Sequence, residues 1–206
     1  ANPSQSPVAL TKVASFFTAQ DESSADEIAR ELDSKYIVID NQTAMGMFYA
    51  MVRWAGKERS EFFDIYYLPQ ENQLVPVQLF YPEYYRSLSS RLYNFDGKAV
   101  TLVSAIVIAY EDTTDDKGTP YKLITAVQQF TSYEEAAAYL LKQETGNYKI
   151  VGTNPFISPV PLAALAHYRL IHSSDGSITV QDVGAVSEVK IFEQIDILPD
   201  STFFYI

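Results

Sequence analysis

Histidine, cysteine and paired carboxylates carry most enzymatic side-chain chemistry, and this sequence is short of the first two. It has no cysteine and only two histidines, His167 and His172. Without thiols there is no disulfide, no thiolate nucleophile and no sulfur-ligated zinc. In HYRLIH the two imidazoles stand at i and i+5, on opposite faces of a strand, so neither a two-His metal site nor a Ser-His-Asp triad is expected and both read as structural. Glu111, Asp112, Asp115 and Asp116 crowd the stretch EDTTDDKGTP. They lack the D-x-[DN]-x-[DN]-G spacing and the terminal bidentate Glu of a calcium loop, so a solvated hairpin tip is expected. Asp64, Glu83 and Asp96 have no spacing that brings two of them into one cleft for acid–base work. The glycines are scattered and form no phosphate-binding loop. The residues alone therefore predict no catalytic constellation, no resident cofactor and no tightly held divalent metal in this chain.

What remains is a soft apolar cluster, Ala44, Met45, Gly46, Met47, Phe48, Tyr49 and Met51, just after a sequon, Asn41-Gln42-Thr43. At a strand-to-helix junction Asn41 reads first as a structural cap. The cluster has two readings. Composition alone favours core packing on a buried helix face, with Ala44, Met47, Met51 and Trp54 in line. The other is an adaptable surface that accepts a small side chain of a bound peptide, with Gly46 permitting close backbone approach.

Elements that would position these residues can be read from patterning. Ser6-Pro7 opens a first helix carrying Leu10, Val13, Ala14 and Phe17. The capping box Ser24/Glu27 predicts a helix over 24–33. The β-branched run 36–39 predicts a short buried strand, and Asp40-Asn41 a cap for a helix over 43–54 that Gly56 closes. Residues 60–80 read as extended with a turn near 69–73. Further along are a helix over 82–92, an Asp96-Gly97 turn, strands over 99–110 and 121–130, and a capped helix from Ser132 and Glu135. A strand at 148–152, a proline-rich loop, a short helix over 161–166, and strands HYRLIH, SEVKIFE and STFFYI complete the chain. Helices crowd the first half and strands the second without βαβ alternation. The expected class is α+β, a helix-rich first half packed with mostly antiparallel strands in one compact domain over 1–206.

The chain has 206 residues, 47% of them hydrophobic, and a net charge of −11. That composition supports a globular core without staples, and the acidity disfavours nucleic acid as a partner. The longest apolar stretch, over 99–110, falls short of the roughly 20 residues a bilayer-crossing helix needs, so the chain reads as soluble.

Several strings, in this order and spacing, resemble the C-terminal extracytoplasmic domain of the archaeal oligosaccharyltransferase catalytic subunit, the dolichyl-phosphooligosaccharide-protein glycotransferase family. They are ANPSQSPV, FFTAQDESSADEI, LDSKYIVIDNQTAMGMFYAMVRWAGK, YYRSLSSRLYNFDG, NPFISPVPLAALAHYRLIHSS and VKIFE. The resemblance spans Ala1 to about Glu193 and is weakest near 60–80 and 111–118. It implies a glycan moved from a lipid carrier to the Asn amide of an Asn-x-Ser/Thr acceptor polypeptide, on the extracytoplasmic face of the membrane. The lipid-linked oligosaccharide and a divalent cation, Mn or Mg, are implied for a multi-pass membrane domain of the full-length enzyme. The family's WWDYG signature would fall just upstream of ANPSQS, so the chain is expected to be a fragment that is inert alone. A family helix motif, an Asp followed by a Lys and then a Met or Ile, aligns its three slots with Ala44, Met47 and Met51, of which only the last agrees. The resemblance makes these three the candidate acceptor-binding residues and places no catalytic residue in this chain. The alternative is a cell-surface binding or interaction module without chemistry, distinguished by whether WWDYG and about a dozen apolar segments lie upstream.

Overall fold

The computed structural model describes residues 7–71, 73–101, 104–174, 178–180, 184–186 and 188–195; the expected Ser6 cap and the expected strand STFFYI lie outside them. Two helices come first, α1 (Pro7–Phe17) and α2 (Glu22–Glu31). α2 starts earlier than its Ser24 capping box predicts. The Asp21 carboxylate accepts from the backbone N–H of Ser24 at 2.8 Å and from its hydroxyl at 2.9 Å, so Asp21 is the cap and Ser24 the donor. A carboxylate at the positive end of a helix is the stronger acceptor. Those hydrogen bonds hold the Asp21 carboxyl below its ordinary value.

β1 (Tyr36–Asp40) comes next, and it is half-buried where the β-branched run predicts full burial. Ile37 and Ile39 face inward while Tyr36 and Val38 are exposed, the alternation of a one-sided sheet. After α3 (Phe48–Trp54), Gly56 at φ +71 ends the helix as expected. β2 (Phe63–Gln70) and β3 (Gln73–Phe80) form the hairpin foreseen at 60–80.

The helix expected over 82–92 is two, α4 (Pro82–Arg86) and α5 (Leu88–Tyr93). Ser87 breaks it: at ψ 143 its hydroxyl donates to the Tyr84 carbonyl at 2.6 Å and accepts from the Ser90 N–H, replacing the helical bonds with side-chain ones. β4 (Ala105–Thr114), β5 (Pro120–Phe130), α6 (Tyr133–Leu140) and β6 (Asn147–Val151) come next. β4 begins later than the expected 99–110 strand, while Val100 instead bridges Leu162 through two backbone bonds. That bridge extends the backbone within 161–166, and no helix forms there. The acidic stretch is split as well. Glu111 and Asp112 lie in β4, and Asp115 accepts from the N–H groups of Lys117 and Thr119 to close the hairpin. β7 (Tyr168–Ser173), the ribbon β8 (Ile178–Val180) and β9 (Gly184–Val186), and β10 (Val189–Gln194) complete the described elements.

The fold is α+β, as the element pattern predicts. One sheet has the order β1-β10-β7 and is antiparallel throughout. The second has the order β3-β2-β5-β4-β6, antiparallel except where β2 runs parallel to β5. The main core joins α1 to α5 with the first sheet, centred on Phe48, Phe62, Tyr85, Leu88, Leu92 and Phe192. His167 belongs to this framework: its Nδ1 meets the buried Asp26 carboxylate of α2, and its backbone N–H donates to Glu22. The structural reading of that histidine holds.

A single glycine links the two outer strands of the second sheet and lets α4 close against them. Gly152 exchanges two backbone hydrogen bonds with Phe80, and a Cβ at this position would stand 2.1 Å from the Tyr85 hydroxyl oxygen. Tyr85 is fully buried and donates to the Asn154 carbonyl at 2.8 Å, so its ring has nowhere to go. Gly152→Ala is expected to destabilise the chain by about 2 kcal/mol through overpacking, read as a lower denaturant midpoint at unchanged slope.

Candidate functional site

The stretch from Asp40 to Trp54 folds around a local irregularity. The Asp40 carboxylate accepts from the Thr43 N–H at 2.7 Å, so Asp40, rather than Asn41, caps the turn after β1. Residues Gln42–Gly46 then form one turn of π-helix, closed by the Met47 N–H donating to the Gln42 carbonyl at 2.7 Å. The wider turn holds one residue more than an α turn, which rotates every later side chain relative to the earlier ones.

This rotation separates the three candidate residues. Ala44 and Met51 are 1% and 5% exposed and point into the main core. Met47, at the junction of the π turn and α3, is 38% exposed. The line Ala44, Met47, Met51, Trp54 expected from α-helical spacing does not exist; the buried line is Ala44, Phe48, Met51 and Val52. Of the three, Met47 alone is presented to solvent.

Sequence spacing also misses a cleft on the cluster's other flank. Met45, Gly46 and Tyr49 form one wall of an opening of about 590 Å³, with Phe63, Phe80 and Tyr84 among the residues opposite. Its floor is a stack of rings: Phe48 meets Tyr84 edge-on at 5.1 Å, and Phe80 lies 4.5 Å from Tyr84. Burial pushes the Tyr84 phenol up, so it stays neutral. At the rim Arg59 is fixed by a 3.0 Å bond to Asp64. Such a cleft accepts an apolar or aromatic side chain and orients it with few polar groups. The signal in the sequence was the aromatic density of residues 60–80, whose alternation put Phe63 and Ile65 on one face.

No protein-family model matches the chain. Over 246 residues it is 22% identical to dolichyl-phosphooligosaccharide-protein glycotransferase 3 of Archaeoglobus fulgidus, a match that covers 100% of this chain and 28% of that protein. Over 199 residues it is 28% identical to dolichyl-monophosphooligosaccharide-protein glycotransferase AglB of Haloferax volcanii, covering 86% of this chain and 18% of that protein. The chain is homologous to the archaeal oligosaccharyltransferases. It spans about a quarter or less of the length of these oligosaccharyltransferase relatives. Among solved structures, the Archaeoglobus fulgidus oligosaccharyltransferase in complex with Zn and sulfate is 18% identical, with a TM-score of 0.40, covering 88% of this chain and 24% of the other. The same oligosaccharyltransferase tethered by a disulfide to an acceptor peptide containing the NVT sequon is 17% identical, also at 0.40, with 88% and 23% covered.

Among the described residues no helix is long and apolar enough to cross a membrane, and no three His, Asp or Glu side chains are grouped to hold a metal ion.

Proposed function

We propose that this chain is the C-terminal extracytoplasmic domain, residues 1–206, of an archaeal oligosaccharyltransferase, and that it helps hold the acceptor polypeptide at its Asn-x-Ser/Thr sequon. The observation that carries the reading is the exposed Met47 on an irregular turn beside an aromatic cleft, in a chain homologous to these transferases. Methionine is unbranched and polarisable, so it moulds to a small methyl-bearing side chain without a rigid pocket. Ala44 and Met51 act from beneath, fixing the π turn that presents Met47.

The lipid-linked oligosaccharide and the Mn or Mg ion belong, in this reading, to the protein's own membrane domain. The donor set here does not fit a metal, since Asp64, Asp96 and Glu193 are each held by two Lys or Arg side chains and no three His, Asp or Glu side chains are grouped among the described residues. What these residues do is bind and orient: the apolar contact at Met47 seats the hydroxy-residue of the sequon, and the neighbouring cleft seats a flanking side chain.

The test compares two proteins given the same lipid-linked oligosaccharide, sequon peptide and Mn²⁺. The full-length protein is expected to form glycopeptide, and the 206-residue chain alone to form none above a no-protein control. Turnover by the chain alone overturns the assignment of catalysis to the rest of the protein. A full-length protein without turnover overturns the transferase reading itself.

A further inference from the structure

A second cleft, of about 350 Å³, opens between β2 and β5. The two strands meet in parallel register at Tyr67↔Leu123, and the cleft lies beside that meeting. Tyr67 and Tyr121 lie across it, half-buried, their rings 5.2 Å apart and nearly perpendicular at 73°. One ring offers a floor and the other a wall. Around them run four charges in a chain: Arg59 to Asp64 at 3.0 Å, Asp64 to Lys122 at 3.6 Å, and Lys122 to Asp112 at 3.3 Å.

These charges cancel, two cations against two carboxylates, although the protein as a whole carries −11. An anionic ligand meets Asp64 and Asp112, and a cationic one meets Arg59 and Lys122. A purely apolar ligand strips water from all four without replacing it, which is unfavourable. A neutral ligand that is rich in both donors and acceptors and has one apolar face satisfies every group. The carboxylates accept from hydroxyls, the Lys122 and Arg59 N–H groups donate to hydroxyl oxygens, and polarised C–H bonds rest on the electron-rich face of a tyrosine ring. That is the chemistry of a pyranose, and the volume lies at the small end of ligand sites, which run from about 300 to 1,000 Å³.

We propose that the Tyr67/Tyr121 cleft is a binding site for a neutral pyranose unit of a glycan. Arg59 and Ile65 line both this cleft and the aromatic one beside Met45. If the acceptor reading holds, on which this one link rests, a sugar here sits next to the peptide that receives or carries the glycan.

The site is tested on the 206-residue chain with the methyl glycosides of glucose, mannose, galactose and N-acetylglucosamine as probes, by saturation-transfer and chemical-shift titration. Glucuronate and glucosamine serve as charged comparators. At least one neutral glycoside is expected to bind saturably, and more tightly than either charged sugar. Tyr121→Ala is expected to weaken that binding about tenfold, the scale of one lost aromatic stacking contact. Tyr67→Leu, which keeps an apolar side chain in the strand, gives the same loss without the larger truncation, and the melting temperature of each variant is measured alongside. Absence of saturable binding to all four glycosides overturns the proposal, as does binding that neither folded variant alters or that the charged sugars match. Because no peptide and no lipid donor enter these glycoside titrations, their outcome is independent of the acceptor reading. A final arm compares a peptide carrying the best glycoside with the same peptide unglycosylated. Tighter binding of the glycopeptide, lost in Tyr121→Ala, is expected for a site that holds a glycan, and equal binding overturns that role.

Discussion

Asp96→Asn is expected to destabilise the chain by about 2 kcal/mol, less than the roughly 3–5 kcal/mol lost when one partner of a fully buried ion pair is removed, because the Asp96 side chain is 27% exposed. Its partner Lys190 reaches inward from β10 and is 9% exposed. The Lys190 ammonium donates to the Tyr93 carbonyl at 2.7 Å and to the Asp96 carboxylate at 2.7 Å. The amide keeps the size of the side chain and its hydrogen-bond acceptor, and Asn tolerates the left-handed backbone at this position, φ 56. Charge is therefore what is lost, and a buried ammonium is left without its counter-ion. Lys190→Met is expected to cost less, because Asp96 keeps Lys98 at 3.0 Å and is partly in contact with water.

The same pair sets a pH dependence. Burial alone raises the Asp96 carboxyl, but hydrogen bonds from Lys190 and Lys98 and their charges outweigh it and hold the group below its ordinary value of 3.8. A carboxylate depressed in the folded state binds its proton less readily there than in the unfolded chain. The stabilisation is thus fully present above the ordinary carboxylate pKa and is lost as pH falls through the lower, folded value. Urea midpoints measured from pH 7 downward are expected to drop below about pH 4 in the wild type, and Asp96→Asn to show a lower plateau with a flatter acid arm. A variant as stable as the wild type at pH 7 means that the ion pair does not hold β10 against α5.

The elements that set up this arrangement were legible unevenly, for identifiable reasons. Asp40, Gly56, the Asp96-Gly97 turn and the Ser132 cap were readable because each acts on backbone groups within four residues of itself. Asp96-Gly97 even gives two successive positive-φ residues, 56 and 69, as that dipeptide implies. Ser87 was not read as a break, since the apolar residues on either side of it keep helical spacing through 82–92. Its neighbours carried the signal all the same: Ser87 before Leu88-Ser89-Ser90 is an acceptable N-cap, and Leu88 N–H bonds the distant Ala19 carbonyl. The helix expected over 161–166 failed for the opposite reason. Helix propensity in PLAALA is local, and the pairing of Leu162 with Val100, 62 positions earlier in the chain, overrode it. At the candidate site a single π turn undid the α-helical periodicity. Ala44, Met47 and Met51 align only if every turn has the same pitch, and the Met47 N–H bonding back to Gln42 changes that pitch inside the cluster itself. Lys190 was passed over for a simpler reason: a lysine in a strand reads as solvent-facing until tertiary structure supplies its carboxylate.

Met47→Asp in the proposed full-length transferase is expected to lower acceptor-peptide kcat/KM by about 10–200-fold for a Thr sequon, the worth of one apolar methyl-sized contact. The exposure of the side chain separates this prediction from a folding defect. Met47 is 38% exposed, so a carboxylate there keeps contact with water in the free protein and the melting temperature is expected to stay close to wild type. Desolvation comes only when a peptide covers it, and a carboxylate facing a methyl then loses water without gaining a partner. The loss should be greater for Thr than for Ser sequons, because only Thr brings the methyl. Affinity for the lipid donor is expected to stay unchanged. Met45→Asp provides the contrast, since Met45 lines the aromatic cleft and Met47 does not. A defect in Met45→Asp that tracks the side chain flanking the sequon, rather than Ser against Thr, assigns the cleft to the flanking residue. A folded Met47→Asp enzyme with normal Thr-sequon kinetics sinks the contact at Met47. Since Ala44 and Met51 are core residues, Ala44→Leu or Met51→Ala is expected to lower the melting temperature before any change in sequon preference appears, so Met47 is the one position of the three where stability and recognition come apart.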